Sequence, residues 1–305
     1  MKYYLLLILR GMAMGAADVV PGVSGGTIAF ITGIYEELID SIKSINARAV
    51  HKLVKEGLPS FWKHVNGNFL ASVFGGIAIS VLSLAKIIAY LLETYPIMVW
   101  AFFFGLIIAS AWVVSRRIKQ WNIGKGVALV LGIVVAYLIT MLSPAETSEA
   151  YWFLFLSGAL AICAMILPGI SGAFILLLIG KYQFIIEAVS TLNIPVIAIV
   201  GVGAIIGLLL FSNLLSFLLH KFHDYTIAVL AGFMIGALNK VWPWKMPAET
   251  FIDRHGEVQP LVDTNIWPAT YAEQFQTQSF WLGALVMGLL GFALIIVIDR
   301  ITKED

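Results

Sequence analysis

The sequence has little charge and almost no cysteine. Of its 305 residues, 12% are Asp, Glu, Lys or Arg, whereas 60% are hydrophobic. Soluble domains carry about 25% charged residues, so this composition excludes an ordinary soluble domain. The single cysteine, Cys163, lies in an apolar run and leaves no disulfide framework to interpret. The net charge of +1 gives no indication of a nucleic-acid partner.

Two further patterns are absent, and both absences narrow the class of protein. No ten-residue segments of alternating hydrophobicity occur, which argues against a membrane β-barrel. The short apolar run Met1–Leu9 stops at Arg10 without a convincing cleavage site, so we predict that it is not a cleaved signal peptide. Apolar runs of about 20 residues recur instead, and each is long enough to cross a bilayer. The sequence therefore predicts an all-α, polytopic membrane protein.

One short motif occurs twice, each time in the middle of an apolar run. The two copies are Val20-Pro21-Gly22-Val23-Ser24-Gly25-Gly26-Thr27 and Leu167-Pro168-Gly169-Ile170-Ser171-Gly172-Ala173-Phe174. Pro-Gly followed by Ser-Gly is expected to break a helix. The flanking residues keep the same register of 147 residues, as Gly11 with Gly158 and Tyr35 with Tyr182 show. Helix breaks at corresponding places in two halves point to the binding site of a transporter.

The charges of the loops predict how the two motifs lie in the membrane. We interpret each motif as the tip of a re-entrant hairpin, with a single broken span as the alternative. Re-entrant hairpins place both basic loops, the His220–Asp224 turn and both termini in the cytoplasm, and leave the acidic loops outside. The hairpins then enter from opposite sides, which gives the two halves an inverted topology.

The predicted organisation has four parts and about six transmembrane helices besides the hairpins. The parts are a first repeat over 1–142 (hairpin 5–42, amphipathic segment 43–66 and three spans), a second repeat over 150–242 (hairpin 151–189 and two spans), an extracytoplasmic loop over 243–278, and a last span with a cytoplasmic tail over 279–305. The segment 43–66 is basic with spaced apolar residues, a pattern typical of a helix in the membrane interface.

The hairpin tips are the candidate binding site. A helix that begins just after the Ser-Gly pair would direct its N-terminal amides and the positive end of its dipole into the membrane centre, where they could bind an anion. Glycines allow the backbone to approach a ligand, and hydroxyls add donors. The candidate residues are Ser24, Gly25, Gly26, Thr27, Ser171 and Gly172. Two kinks that merely help helices to pack are the alternative interpretation.

Three charged residues interrupt the apolar runs, and charges at membrane depth usually face a cavity or a partner. Asp18 lies three residues before Pro21 and could pair with Arg10 or Lys86, or bind a proton. Lys86 lies in the middle of a span. Arg10 is near the base of a hairpin and could instead extend to the interface.

Arg116 and Arg117 end a span on the predicted cytoplasmic side. They could set the topology and contact anionic lipid head groups. Alternatively, they could form a cytoplasmic gate that clamps a phosphate, because arginine binds phosphate oxygens bidentately.

No catalytic set is visible. A lipid phosphatase would need a histidine near the motifs, and the Ser-Gly pairs lack the flanking pattern of a nucleophile elbow. His220 and His223 beside Asp224 could suggest a metal cluster, but they lie in a short turn at a helix end. We predict a transporter rather than an enzyme, with no metal and no other cofactor.

Three stretches resemble one known family. Gly11–Thr27, Phe103–Ile107 and Met165–Gly172 are similar to the bacterial undecaprenyl (polyprenyl) phosphate transporters, and the similarity extends from about residue 5 to residue 300. The second motif departs from the first in having Ala173-Phe174 in place of Gly26-Thr27.

The resemblance implies a flippase that returns undecaprenyl phosphate from the outer to the inner leaflet of the bacterial cytoplasmic membrane, for reuse in peptidoglycan and other envelope polymers. The anion at the tips would then be the lipid's phosphate, bound by the tip residues with Lys86 and Arg10. Membrane lipids are the other expected partners. Coupling to a proton or sodium gradient, with Asp18 as the acid, and a homo-oligomer are left open. A transporter of a small soluble anion and a non-transporting membrane scaffold are the alternatives.

Overall fold

The computed structural model describes residues 2–20, 23–145, 147–252 and 258–304. Pro21 and Gly22 of the first motif lie outside the described residues, as do Glu146 and the acidic loop positions Asp253 and Glu257.

The described part of the chain is mainly helical, as the composition predicts. In chain order the elements are α1 (Lys2–Val19), α2 (Gly25–Ile31), α3 (Tyr35–Lys43), α4 (Ala47–Glu56), α5 (Leu58–His64), α6 (Gly67–Thr94), α7 (Pro96–Ser115), α8 (Ile123–Met141), α9 (Tyr151–Ile166), α10 (Gly172–Leu178), α11 (Tyr182–Ser190), α12 (Ile194–Lys221), α13 (His223–Ala237), β1 (Lys245–Ile252), β2 (Val258–Asn265), α14 (Pro268–Phe275) and α15 (Trp281–Glu304).

Five of the described helices are long and apolar enough to cross a membrane: α6, α7, α8, α12 and α15. A sixth span results if the bent pair α10–α11 is counted as one. The predicted span near residues 226–242 corresponds to α13, whose 15 residues are fewer than the roughly 20 that cross a bilayer. The chain is therefore a multi-pass α-helical membrane protein.

The two motifs fold alike. Each is followed by a seven-residue helix, α2 or α10, and then by a nine-residue helix, α3 or α11. The second arm of the first hairpin, which the sequence predicts as one helix over 26–42, is interrupted at Gly33 (φ +75°), and the second arm of the second hairpin is interrupted at Gly180 (φ +65°). Glycine ends helices in this left-handed conformation because it has no Cβ to clash. The pair α10–α11 is bent by 110° at this point.

The long helices pack in pairs through glycines, and the same contact occurs in each half. Between α1 and α6, a Cβ on Gly11 would overlap the carbonyl oxygen of Val73. Between α9 and α12, a Cβ on Gly158 would overlap the carbonyl oxygen of Val200. In the sequence, Gly158 follows Gly11 by the 147 residues that separate the two motifs. Val200 follows Val73 by 127 residues, the spacing that also separates Gly76 from Gly203 and Gly105 from Gly232.

A second kind of pair connects the two halves. Helix α15 packs on α7 and α8 packs on α13. A Cβ on Gly105 would overlap the carbonyl oxygen of Gly288, and a Cβ on Gly232 that of Leu129. Helix α8 of the first repeat therefore packs on the second repeat, and the last helix, α15, packs on the first.

The segments between the spans are more ordered than the sequence suggests. The amphipathic segment forms two short helices, α4 and α5, separated at Gly57 (φ +85°). The loop over 243–278 contains the antiparallel hairpin β1–β2 and the helix α14. The two ends of this loop are connected by hydrogen bonds. The indoles of Trp242 and Trp244 donate to the carbonyl oxygens of Ile266 (2.9 Å) and Ser279 (2.8 Å).

Candidate functional site

The two hairpin tips lie against each other. The hydroxyl of Ser24 donates to the carbonyl oxygen of Met165 at 2.9 Å, and the amide of Gly169 donates to the hydroxyl of Thr27 at 3.1 Å. Ser24 and Thr27 are each 1% exposed. The polar atoms that a helix break leaves unpaired are thus satisfied partly by the other hairpin, which is how broken helices persist at membrane depth.

The tips come together because Gly26 has no side chain. A Cβ at this position would overlap the carbonyl oxygen of Ile166. The hydroxyl of the buried Tyr35 donates to the same oxygen at 3.2 Å. We expected the glycines to admit a ligand, whereas here Gly26 admits the other hairpin. Tyr35 was not among the candidate site residues that the sequence suggested, although its match with Tyr182 could have indicated it.

An acidic side chain binds the N-terminus of α2. The Asp18 carboxylate accepts a hydrogen bond from the amide of Gly25 at 2.7 Å. The Ser24 hydroxyl accepts from the amide of Gly26 at 3.1 Å. A helix N-terminus favours negative charge, and here a residue of the protein supplies it. In this structure Asp18 binds the position that the sequence suggested for an external anion, rather than pairing with Arg10 or Lys86.

The second tip also has an N-cap serine and a closely packed glycine, but its glycine contacts a helix of its own hairpin. Ser171 is the N-cap of α10 and accepts a hydrogen bond from the amide of Phe174 at 3.4 Å. Gly172 packs on the backbone of α9, where a Cβ would lie 2.5 Å from the carbonyl oxygen of Ala161. Both residues are buried. Their part in binding remains a prediction.

The basic residues that interrupt the apolar runs do not gather at the hairpin tips. Lys86 is exposed on α6, one turn after Leu82, which is 84% exposed. This face of α6 points away from α1, because the opposite face carries the close glycine contacts. Arg10 is half-exposed on α1. The structure therefore does not bring Lys86 to the tips in this conformation, and its binding role stays a prediction.

The two arginines after α7 have different environments. Arg117 donates to the carbonyl oxygen of Ile31 at 3.2 Å, and its guanidinium lies 5.3 Å from the ring centre of Phe30. Ile31 is the last residue of α2, so the cation meets the negative end of that helix. Arg116 is exposed and lies 5.0 Å over the ring of Trp112. One arginine thus binds the first hairpin and the other faces the surroundings.

The histidines near the α12–α13 turn bind carboxylates of α3. His220 lies 3.5 Å from Asp40, and His223 lies 3.2 Å from Glu36. Asp224 forms an ion pair with Lys125 at 2.6 Å. Among the described residues, no group of His, Cys, Asp and Glu could hold a metal ion. The histidines thus connect α3 of the first hairpin to the α12–α13 turn, and the ion pair connects α8 to α13.

These features define the class of protein: a multi-pass membrane transporter with two matched hairpins that meet at broken helices. The chain belongs to the family described as VCA0040-like, undecaprenyl phosphate translocase-like, which residues 14–259 match. The family resemblance read from the motifs is thereby confirmed, and so is a transporter rather than an enzyme.

Two relatives cover nearly the whole chain. A polyprenyl-phosphate transporter of Vibrio cholerae serotype O1 is 46% identical over 301 residues, which cover 99% of this chain and 98% of that protein. A polyprenyl-phosphate transporter of Staphylococcus aureus is 29% identical over 316 residues, covering 98% and 97%. No solved structure matches the chain significantly.

Proposed function

We propose that this protein is a flippase that takes undecaprenyl phosphate from the outer to the inner leaflet of the bacterial cytoplasmic membrane, so that the carrier lipid is reused in envelope polymer synthesis. The family and the names of both relatives support a polyprenyl phosphate as the substrate. The observation that carries the mechanism is the buried junction of the two hairpin tips, where Ser24 binds Met165 and Thr27 binds Gly169.

The two halves act as inverted repeats in this proposal. Matched helices, matched positive-φ glycines and matched helix-pair contacts support the repeat. The loop charges support the inversion, with both termini in the cytoplasm. One hairpin then opens toward each leaflet, and rocking of the two halves exposes the junction to one side at a time.

The phosphate head group binds at the tips once they separate. Separation frees the hydroxyls of Ser24 and Thr27, and Ser171 and Gly172 complete the site from the second hairpin. Arg10 and Lys86 would reach the phosphate only after helices α1 and α6 rearrange, because neither contacts the tips in this structure.

Asp18 couples transport to a cation. While its carboxylate binds Gly25, a phosphate at the same helix N-terminus would meet a like charge, which disfavours binding. Protonation of Asp18, or binding of sodium by it, removes that repulsion. The head group can then replace the carboxylate at the amides.

On the inner side, the two arginines release the lipid. Arg117 donates a hydrogen bond to the end of α2, so that a movement of the first hairpin changes this contact. Arg116 is exposed, so that its guanidinium can bind the phosphate as it leaves for the inner leaflet.

Leaflet exchange of labelled undecaprenyl phosphate in proteoliposomes tests the proposal. Wild-type protein should accelerate exchange, and the double variant Ser24→Ala/Ser171→Ala and the variant Lys86→Ala should each lose most of it. Ser83→Ala and Lys119→Ala, at exposed positions away from the tips, are the matched controls and should exchange like wild type.

Two outcomes would count against the proposal. Folded protein that takes up inorganic phosphate but exchanges no lipid would indicate a carrier of soluble anions. Lipid exchange at the wild-type rate in all the variants would leave the flippase in place but place its binding site elsewhere.

A further inference from the structure

A cavity of about 250 Å³, lined by both polar and apolar side chains, lies between the second hairpin and the β1–β2 hairpin. Its walls come from the end of α8, from α10, from the segment 239–245 and from β2. A water molecule takes up about 30 Å³ of liquid, so the cavity has room for a small hydrated group. The polar side chains that line it are Thr140, Asn239, Lys240, Lys245, Asp263, Thr264 and Asn265.

Two lysines are held in this cavity by fixed contacts. The Lys240 ammonium lies 4.7 Å from the ring centre of Phe174, on α10. The Lys245 ammonium lies 3.8 Å from the ring centre of Trp100 and donates to the carbonyl oxygen of Lys240 at 2.7 Å. Asn239 and Asn265 line the same cavity and are joined by a hydrogen bond of 2.9 Å that Asn265 donates. The cations are therefore positioned beside further hydrogen-bonding groups.

The cavity has more positive than negative charge. Burial and the neighbouring Lys240 ammonium lower the pKa of Lys245 to about 7, although Asp263 acts in the opposite direction. Burial also lowers the pKa of Lys240, again opposed by Asp263. Of the cavity-lining side chains that the structure describes, Asp263 is the acidic one. An anion in the cavity would supply counter-charge that the lysines lack.

A matching cation lies on the first hairpin. Arg117 follows the end of α7 by two residues and lies over Phe30 of α2. Lys240 follows the end of α13 by three residues and lies over Phe174 of α10. Each short hairpin helix thus carries a cation on one of its phenyl rings, supplied by the segment that follows α7 or α13, although neither the cations nor the rings match in the sequence registers of 127 and 147 residues. The proposed inner gate at Arg117 has a counterpart on the opposite hairpin.

We propose that this cavity is an anion site in which Lys240 and Lys245 receive a phosphate monoester, the head group of the transported lipid, on the outer side before it reaches the hairpin tips. The inference rests on the proposed function for the lipid and for the direction of transport. The anion site itself rests on the cavity and its two lysines.

A neighbouring groove favours a lipid over free phosphate as the source of that group. An apolar groove of about 540 Å³ lies between α7 and α15. Trp242 and Trp244 line the groove, while Lys245, the next residue, lines the cavity. Trp100 contacts Lys245, and its neighbour Ala101 lines the groove. A phosphate in the cavity therefore lies beside an apolar surface on which an isoprenoid chain can pack.

The test is equilibrium binding to the purified full chain in detergent. The probes are a short isoprenyl phosphate, the corresponding isoprenol and inorganic phosphate. We expect the isoprenyl phosphate to bind and the isoprenol to bind much more weakly. Lys240→Gln and Lys245→Gln should each weaken isoprenyl phosphate binding about tenfold, because each removes a charged hydrogen-bond donor from the phosphate. Lys245→Arg should retain most of the affinity.

Lys221→Gln is the matched control. Lys221 also lies over aromatic rings, those of Phe217 and Phe222, but it is exposed at the end of α12 and lines no part of the cavity. Its variant should bind like wild type. The thermal midpoint of each variant shows whether it is folded, and if Lys245→Gln fails to fold, Lys240→Gln carries the test.

The outcomes separate this inference from the proposed function. Wild-type affinity in both glutamine variants would overturn the cavity site, whereas lipid exchange by the wild-type protein would still support the flippase. Lysine-dependent phosphate binding without lipid exchange would support the anion site and contradict the flippase. Inorganic phosphate that binds as tightly as the isoprenyl phosphate would overturn the lipid as the ligand and favour free phosphate.

Discussion

At the scale of single residues, the hairpin junction depends on a glycine that has no side chain and on two hydroxyl groups that form hydrogen bonds. Gly26 lets the first tip reach Ile166, while Ser24 and Thr27 complete the hydrogen bonds across the contact. The motif identified all three residues from sequence. It could not show that Asp18 binds the amide of Gly25, because the two residues are seven apart in the sequence and belong to different helices, α1 and α2.

Gly26→Ala should destabilise the protein. The added methyl group overlaps the Ile166 carbonyl, and overpacking of this kind costs about 1–3 kcal/mol. Gly201→Ala is the matched control, because a Cβ there has open space and alanine favours a helix more than glycine does. The thermal midpoint in detergent should fall for the first variant and stay level or rise for the second. A wild-type midpoint for Gly26→Ala would mean that the tips do not pack as described.

Asp18→Asn should remove the dependence of transport on the driving ion. Asparagine can still accept the hydrogen bond from Gly25, but it carries no charge to repel a phosphate or to bind a proton. We expect leaflet exchange by this variant to be the same with and without a proton or sodium gradient. Glu93→Gln, an exposed acid at the end of α6, should respond as wild type does. A wild-type response in Asp18→Asn would exclude Asp18 as the coupling residue.

Lys245 makes anion binding in the outer cavity depend on pH. Since its pKa is lowered to about 7, its ammonium is present below that pH and lost above it. Sulfate keeps its two charges from pH 6 to pH 9, so a change in its affinity reports the protein. We expect sulfate to bind several-fold more weakly at pH 9 than at pH 6, and Lys245→Arg to abolish most of that difference because arginine stays protonated. Equal dependence in both proteins would assign the titration to another group.

At the scale of elements, the sequence predicted the long helices well and the short ones poorly. Apolar runs of bilayer length are unambiguous, and the observed spans follow them closely. The second arm of the first hairpin was expected as one helix, because its apolar residues continue through Gly33. The positive φ of this glycine is a backbone property that composition does not reveal, although its match with Gly180 was a clue. The strands β1 and β2 escaped notice because their polar sequences lack a clear alternation.

The ion pair between Lys125 and Asp224 should be essential for joining α8 to α13. The two side chains are 11% and 19% exposed, so removal of the lysine would leave the Asp224 carboxylate without the cation that it contacts at 2.6 Å. Lys125→Met should therefore lower the thermal midpoint markedly, while Lys119→Met, at an exposed neighbouring position, should not. The exchange Lys125→Asp/Asp224→Lys should recover part of the loss. A midpoint unchanged in Lys125→Met would show that the pair contributes little.

At the scale of the whole molecule, the pairing of helices across the halves is what the sequence could not supply. Matched residues spaced by 147 and 127 positions indicated a duplicated chain, but they do not show which helices are in contact. In the structure α8 of the first repeat packs on α13 of the second, and the last helix, α15, packs on α7 of the first. The junction of the tips and the two hairpin-bound cations, Arg117 and Lys240, lie on this shared framework. A movement of one half must therefore alter the contacts of both hairpins.

The most direct test of the account is leaflet exchange of three labelled lipids in the same proteoliposomes: undecaprenyl phosphate, undecaprenol and an anionic phospholipid. The account predicts protein-dependent exchange of undecaprenyl phosphate alone, and its loss in Ser24→Ala/Ser171→Ala. No exchange by folded wild-type protein, or equal exchange of all three lipids, would contradict a flippase that recognises a polyprenyl phosphate at the hairpin tips.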